Sequence, residues 1–275
     1  MPVLISLLPG ARGNDVLAGL RLALGELQNT YSAPDRYIAY AQWANNTVRQ
    51  LRHLIRPGDL EALILTRRYW VIQSLAGMAG GPQVNDLLNM EVEERKRAIE
   101  DTIGELNEQF NHWSRPGVYV LPDTSVYINY PQKVEDWGRL GFLDIRPDVP
   151  IHVVVPIVVV EELDRLKDSG QKPTRWRARH TLAVLDRLLP AQVKWGVLTP
   201  AKVEAVQEVV TIEVVLDPPG HLRLPIADDE IVDRALAIQS LVRQSVILVT
   251  YDTAQSTRGR MAGLTVRKLE LPLDE

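Results

Sequence analysis

The chain has 275 residues, enough for one large or two ordinary domains, and its 45% hydrophobic and 24% charged content is that of an ordinary globular protein. It has no cysteine, which excludes disulfides, thiolate metal sites and cysteine nucleophiles, and a cytoplasmic setting is expected. The net charge of −4 argues against tight duplex nucleic-acid binding, although an acidic metal-holding site would offset basic residues elsewhere. The opening MPVLISLLPG is apolar only over residues 3–8 and lacks a basic start, so neither a signal peptide nor a membrane span is expected.

In chain order, the first 113 residues read as an all-helical domain. Asn14 and Asp15 can cap a helix whose stripe is Leu17, Leu20, Leu24 and Leu27. A second helix follows Pro34, with Tyr40, Ala44, Val48, Leu51 and Ile55 at spacings of three and four, and Pro57-Gly58 breaks it. DLEALILTRRYWVIQSL predicts one more helix, with strand as the alternative. GMAGGPQ is a turn without the Gly-Lys-Ser/Thr of a phosphate loop. A long helix is expected over about residues 84–110, striped by Val84, Leu88, Val92, Ile99, Ile103, Leu106 and Phe110. NHWSRPG marks a boundary, and a second domain is expected over 117–275. There the period changes to strand-helix alternation, with strands at 118–121, 151–155, 209–215, 246–250 and 264–269. This is the pattern of a Rossmann-like α/β domain with a parallel sheet.

Four acids lie at or just past these apolar runs: Asp123 in VLPDTSVYI, Glu162 in VVVEELDRLK, Asp229 in IADDEIVDRAL and Asp252 in VILVTYD. In an open parallel sheet, strand C-termini form one crevice. Four carboxylates gathered there repel unless a cation neutralises them, and hard oxygen ligands select Mg²⁺ or Mn²⁺. Each acid also has a plainer reading. Asp123 and Asp252 can be helix N-caps, and Glu162 and Asp229 can be first-turn acids favoured by the helix dipole. Glu161 points about 100° away from Glu162, so only one of the two can face the crevice. Asp233 shares a face with Asp229 and joins the candidate ligands, while Asp228 reads as the cap of that helix. Thr124 and Ser125 are hydroxyl candidates for orienting Asp123 or a metal-bound water, and Thr250 supplies a further hydroxyl beside the site.

In these motifs, taken in order over about residues 117–271, the sequence resembles the PIN-domain ribonuclease family. DTS after the first strand, EELDRLK after the second, DDEIVDRAL and VILVTYD each match its pattern. Tyr251 departs from it, standing where the family often has Asn. The resemblance implies a metal-dependent endoribonuclease, a hydrolase that cuts phosphodiester bonds in single-stranded RNA, with Asp123, Glu162, Asp229 and Asp252 as catalytic metal ligands. A catalytically silent PIN-like module that binds RNA or a protein is the alternative, and the presence of all four acids favours the enzyme. An aspartyl-phosphate enzyme fits less well. Ser125 stands where a phosphatase D-x-D needs its second acid, and VILVTYD lacks a receiver's lysine.

Lys172, Arg175, Arg177 and Arg179, with Lys167 before them and Trp176 among them, are candidate RNA contacts through phosphate pairing and base stacking. Arg258 and Arg260 are further candidates. The plainer reading is a solvated helix face with Trp176 packed inward. The histidines, His53, His112, His152, His180 and His221, show no metal-type spacing. The helical domain resembles no nameable family. It is a candidate for homo-oligomerisation, for RNA binding through Arg49, Arg52, His53 and Arg56, or for regulating access. An antitoxin partner is not favoured, because solitary PIN toxins are mostly shorter than this chain.

Overall fold

The computed structural model describes residues 5–8, 10–78, 81–137, 141–143, 145–146, 149–169, 171–191, 193–198, 210–242 and 244–271. The expected strand start at 209, part of the 77–83 turn and part of the 3–8 apolar run lie outside these residues. The chain divides into two compact units, residues 1–113 and 114–275. No described helix is long and apolar enough to cross a membrane.

The first unit is helical. Helix α1 (Gly13–Asn29) buries Leu17, Leu20 and Leu27 of the expected stripe. Its N-cap is Arg12, with no side-chain cap, so Asn14 and Asp15 lie inside the first turn rather than before it. Gly13 lets the Phe110 ring close on the helix start, where a Cβ would come within 1.9 Å of the ring. Helix α2 (Arg36–Leu51) is capped by Asp35, whose carboxylate accepts from Ile38 N at 3.0 Å. Ile55 lies past its end, bridged to Leu7 and fully buried.

The single helix expected over 59–75 is two. Helix α3 (Pro57–Leu63) takes Pro57 at its start, where the missing N–H costs nothing. Helix α4 (Arg67–Ser74) is capped by Thr66. The break is held from helix α5 (Pro82–His112): Arg95 Nη1 donates to Leu63 O at 2.7 Å, satisfying an end carbonyl of α3. Val84, Leu88, Val92, Ile99 and Leu106 of α5 face the core, each such burial contributing about 1.5–3 kcal/mol.

The second unit is α/β. Strand β1 (Val118–Pro122) leads into helix α6 (Thr124–Asn129), and strand β2 (Ile151–Pro156) into helix α7 (Ile157–Ser169). Helix α8 (Lys172–Leu188) and the short strand β3 (Gly196–Leu198) follow. Strand β4 (Val210–Val215) and helix α9 (Ala227–Gln239) precede strand β5 (Val246–Thr250), helix α10 (Thr253–Met261) and strand β6 (Thr265–Lys268). The sheet order is β3-β4-β2-β1-β5-β6, parallel except where β3 runs against β4. The sheet is thus mostly parallel, as expected, and the short antiparallel edge strand β3 is an addition; three residues are too few to leave a periodic signal.

β2 is buried along its whole length, as its near-continuous apolar run requires of a strand covered on both faces. Gly117 opens β1 at φ 137°, with a Cβ position only 2.5 Å from Pro150 O, so the turn admits only glycine. The chain moves from β1 to β2 on one side and returns to β5 on the other. β1 and β5 therefore flank a topological switch point, where a crevice opens beyond the strand C-termini.

Candidate active site

Asp123 ends β1 at that crevice. Its N–H still bonds Val249 O of β5 at 2.9 Å, so the backbone holds it in place. Its side chain caps α6: Oδ1 accepts from Val126 N at 3.2 Å and from Ser125 Oγ at 2.5 Å, and Oδ2 accepts from Thr250 Oγ1. Cap and site candidate are thus the same group. The residue is 5% exposed. Burial pushes its carboxyl up to about 6; the Ser125, Thr250 and Val126 donors pull the other way, and the charge of Asp228 pushes it up further.

Of the two hydroxyls expected beside Asp123, Ser125 bonds it and Thr124 bonds Glu162 instead. Thr124 Oγ1 donates to Glu162 of α7 at 2.5 Å, while Ser125 serves Asp123 and also accepts from Tyr251 N at 3.0 Å. The first turn of α6 therefore ties Asp123, Glu162 and the end of β5 into one piece. Glu161 points away, to Arg223 Nη1 at 2.5 Å.

Thr250 is the third hinge of this arrangement. Its hydroxyl donates to Asp123 and accepts from Asp252 N at 2.8 Å. The Asp252 carboxylate itself caps α10, accepting from Gln255 N at 2.9 Å, and the residue is exposed.

On α9 the N-cap is Ile226, without a side-chain cap, so Asp228 is not the cap expected of it; it lies with Asp229 in the first turn. Asp228 is the acid whose charge reaches Asp123, one residue before the expected Asp229. Arg258 of α10 binds both: Nη1 donates to Asp228 Oδ2 at 2.7 Å, and Nε lies 3.1 Å from Asp229 Oδ1. Asp233, one turn on, is paired with Arg234. The acids at i and i+4 thus have the basic partners that their repulsion demands.

The acids here, Asp123 with Glu162 tied to it through the first turn of α6, and Asp228 beside Asp229 at the start of α9, offer oxygen donors only, and no described cation pairs with Asp123. That chemistry fits Mg²⁺ or Mn²⁺. Their oxygens are not drawn to a point. Among the described residues, the group whose donor atoms all lie within 4.8 Å of one another is instead Asp217, His221 and Glu230. The sequence contains no spacing that announces it.

Most of its donor atoms are already engaged, although Asp217 Oδ1 is buried without a hydrogen-bond partner. His221 Nε2 lies 2.7 Å from Glu230 Oε1, and Arg234 Nη2 lies 3.1 Å from His221 Nδ1. Arg223 Nε donates to Asp217 Oδ2 at 2.5 Å, and Leu224 N donates to Glu230 Oε2 at 2.9 Å. A divalent ion would meet two guanidinium groups there. The network pins the segment before α9, and so sets where Asp228 and Asp229 begin.

The basic cluster on α8 is partly structural. Arg177 donates to Pro131 O and Gln132 O at 2.6 and 2.9 Å, and Arg179 Nε donates to Lys167 O at 3.0 Å near the end of α7. Lys172 and Arg175 are exposed. Trp176 is 49% exposed rather than packed inward, stacked on His180 at 5.1 Å with Lys133 5.5 Å from its ring centre. Trp176 lines an open groove of about 610 Å³ with Lys172, Pro173, Arg175, Arg177 and Arg179.

A family model described as PIN domain matches residues 119–270. No curated protein matches the chain.

Proposed function

The chain belongs to the PIN-domain family, a family of nucleases, and from that premise we propose that it is a metal-dependent endoribonuclease acting on single-stranded RNA. The observation that carries the reading is Asp123: a buried carboxylate at the β1–β5 switch point, supplied with hydroxyls and one amide but with an acid, Asp228, as its charged neighbour. Such a group favours a cation beside it.

Asp123, Glu162, Asp228 and Asp229 would hold Mg²⁺ or Mn²⁺, with Asp252 of the expected set serving the α10 turn. When bound, such an ion supplies an activated water and charge for the leaving 3′ oxygen. Ser125 and Thr250 keep both Asp123 oxygens oriented, and Thr124 does the same for Glu162. The exposed Trp176 face and the cations around it support RNA as the substrate, since an open ring stacks on any base.

The test is incubation of the purified chain with mixed-sequence single-stranded RNA, in Mn²⁺ or in chelator. Cleavage is expected only with the ion, and Asp123→Asn is expected to lose at least a hundredfold in rate, roughly the scale of removing one transition-state stabilising group. Cleavage that survives excess chelator, or full activity in the variant, would overturn the assignment. RNA bound but uncut in Mn²⁺ would select the silent-module reading. The pairing of Arg258 with two of the acids is the one feature that favours it.

A further inference from the structure

Arg258 stands among the acids of the crevice. It sits in the last turn of α10 and reaches across to the first turn of α9. One guanidinium contacts two carboxylates, Asp228 at 2.7 Å and Asp229 at 3.1 Å, and Asp228 is the acid that acts on Asp123. The Arg258 side chain is 37% exposed and both acids are 40% exposed. Ion pairs this open are weak and easily exchanged. A guanidinium fork also fits a phosphate as well as it fits a carboxylate.

We propose that Arg258 is the built-in counter-cation of the crevice. A divalent ion displaces it from Asp228 and Asp229, and the released guanidinium then holds a phosphate of the RNA. The inference rests on the metal-nuclease reading above. The physical requirement is simple: the ion and Arg258 draw on the same carboxylates and repel each other. The stem of Arg258 rises from α10, whose start Asp252 caps at the crevice.

The experiment is a Mn²⁺ titration without RNA, read by loss of the free-ion electron paramagnetic resonance signal, on the full chain and on Arg258→Met and Arg258→Lys. The Met variant should bind Mn²⁺ roughly two- to fivefold tighter than wild type, the scale of an exposed pair removed. The Lys variant should fall between, since an ammonium is a single point charge facing two acids. In cleavage assays the Met variant should show a raised KM.

A merely structural strap predicts the opposite, with Mn²⁺ affinity equal to or below that of wild type, and that result overturns the proposal. Tighter Mn²⁺ binding with an unchanged KM overturns the phosphate step. If the Met variant does not melt cooperatively, Arg258→Lys decides on the same criterion. A wild-type chain that takes up no Mn²⁺ overturns the metal-nuclease reading itself. Variants that bind no tighter than a wild type that does take it up overturn the role of Arg258 alone.

Discussion

Glu91 in the helical unit and Asp123 in the α/β unit are both buried carboxylates, and they are buried in opposite ways. Glu91 has Arg95 Nε at 3.1 Å and Arg68 Nη1 at 3.2 Å, and accepts from Thr66 Oγ1 at 2.8 Å and Tyr40 OH at 3.2 Å. Its charge is cancelled within the fold, and the network joins α2, α4 and α5 as it does so. Asp123 receives two hydroxyls and one amide, feels a second acid, and pairs with no cation among the described residues. A completed network is part of the core. An incomplete one at a switch point is a place for a ligand.

The sharpest way to break this contrast is Glu91→Ala. It leaves Arg95, only 4% exposed, without its main counter-charge. The expected loss is about 3–5 kcal/mol in a urea melt, the same with Mn²⁺ as with chelator. A loss under about 1 kcal/mol, or one that Mn²⁺ restores, would remove the distinction between the two sites.

A smaller effect sharpens the contrast within the crevice. Asp252 caps α10 and is exposed, so Asp252→Ala should cost about 1 kcal/mol. Asp252→Asn, which also caps, should melt within about 0.5 kcal/mol of wild type in chelator. A clear rise for the Asn variant in chelator would instead put Asp252 among mutually repelling acids.

The reach of sequence reading follows the locality of each signal. The strands at β1, β2 and β5, and the acids that end β1 and β5, are local patterns, an apolar run and the residue just past it. The alternation of the second unit is legible for the same reason. The α3–α4 break is not, because its cause sits on α5: Arg95 takes the α3 carbonyl, and the Glu91 that accepts from Thr66 is on α5 as well. Whether Asp228 or Asp229 faces Asp123 depends on where α9 starts. That start follows Ile226, which carries no side-chain cap, and the segment before it is fixed by Asp217, His221 and Glu230 acting across the fold. Arg177 and Arg179 look like phosphate contacts in the sequence because a charge run does not reveal which backbone carbonyls lie nearby. The structure supplies those carbonyls from 131–132 and 167.

The central claim is that a divalent ion completes the Asp123 environment, and thermal melts of wild type and Asp123→Asn test it most directly, at pH 8 in chelator and in Mn²⁺. Burial raises the folded-state value of Asp123 to about 6 from an ordinary 3.8. Its contribution is therefore full below about 3.8 and is lost as pH rises through about 6, so at pH 8 the metal-free wild type carries the cost of a buried charge. That cost is at most on the order of 3 kcal/mol, reduced in the comparison because Asn replaces one acceptor oxygen with a donor. In chelator at pH 8 the variant should melt higher than wild type, and the difference should close as the pH falls toward 4. Mn²⁺ at a hundredfold excess over its Kd should stabilise wild type by about 2.7 kcal/mol and leave the variant nearly unmoved. Equal Mn²⁺ shifts in the two proteins, or a variant that melts lower than wild type in chelator at pH 8, would contradict the account.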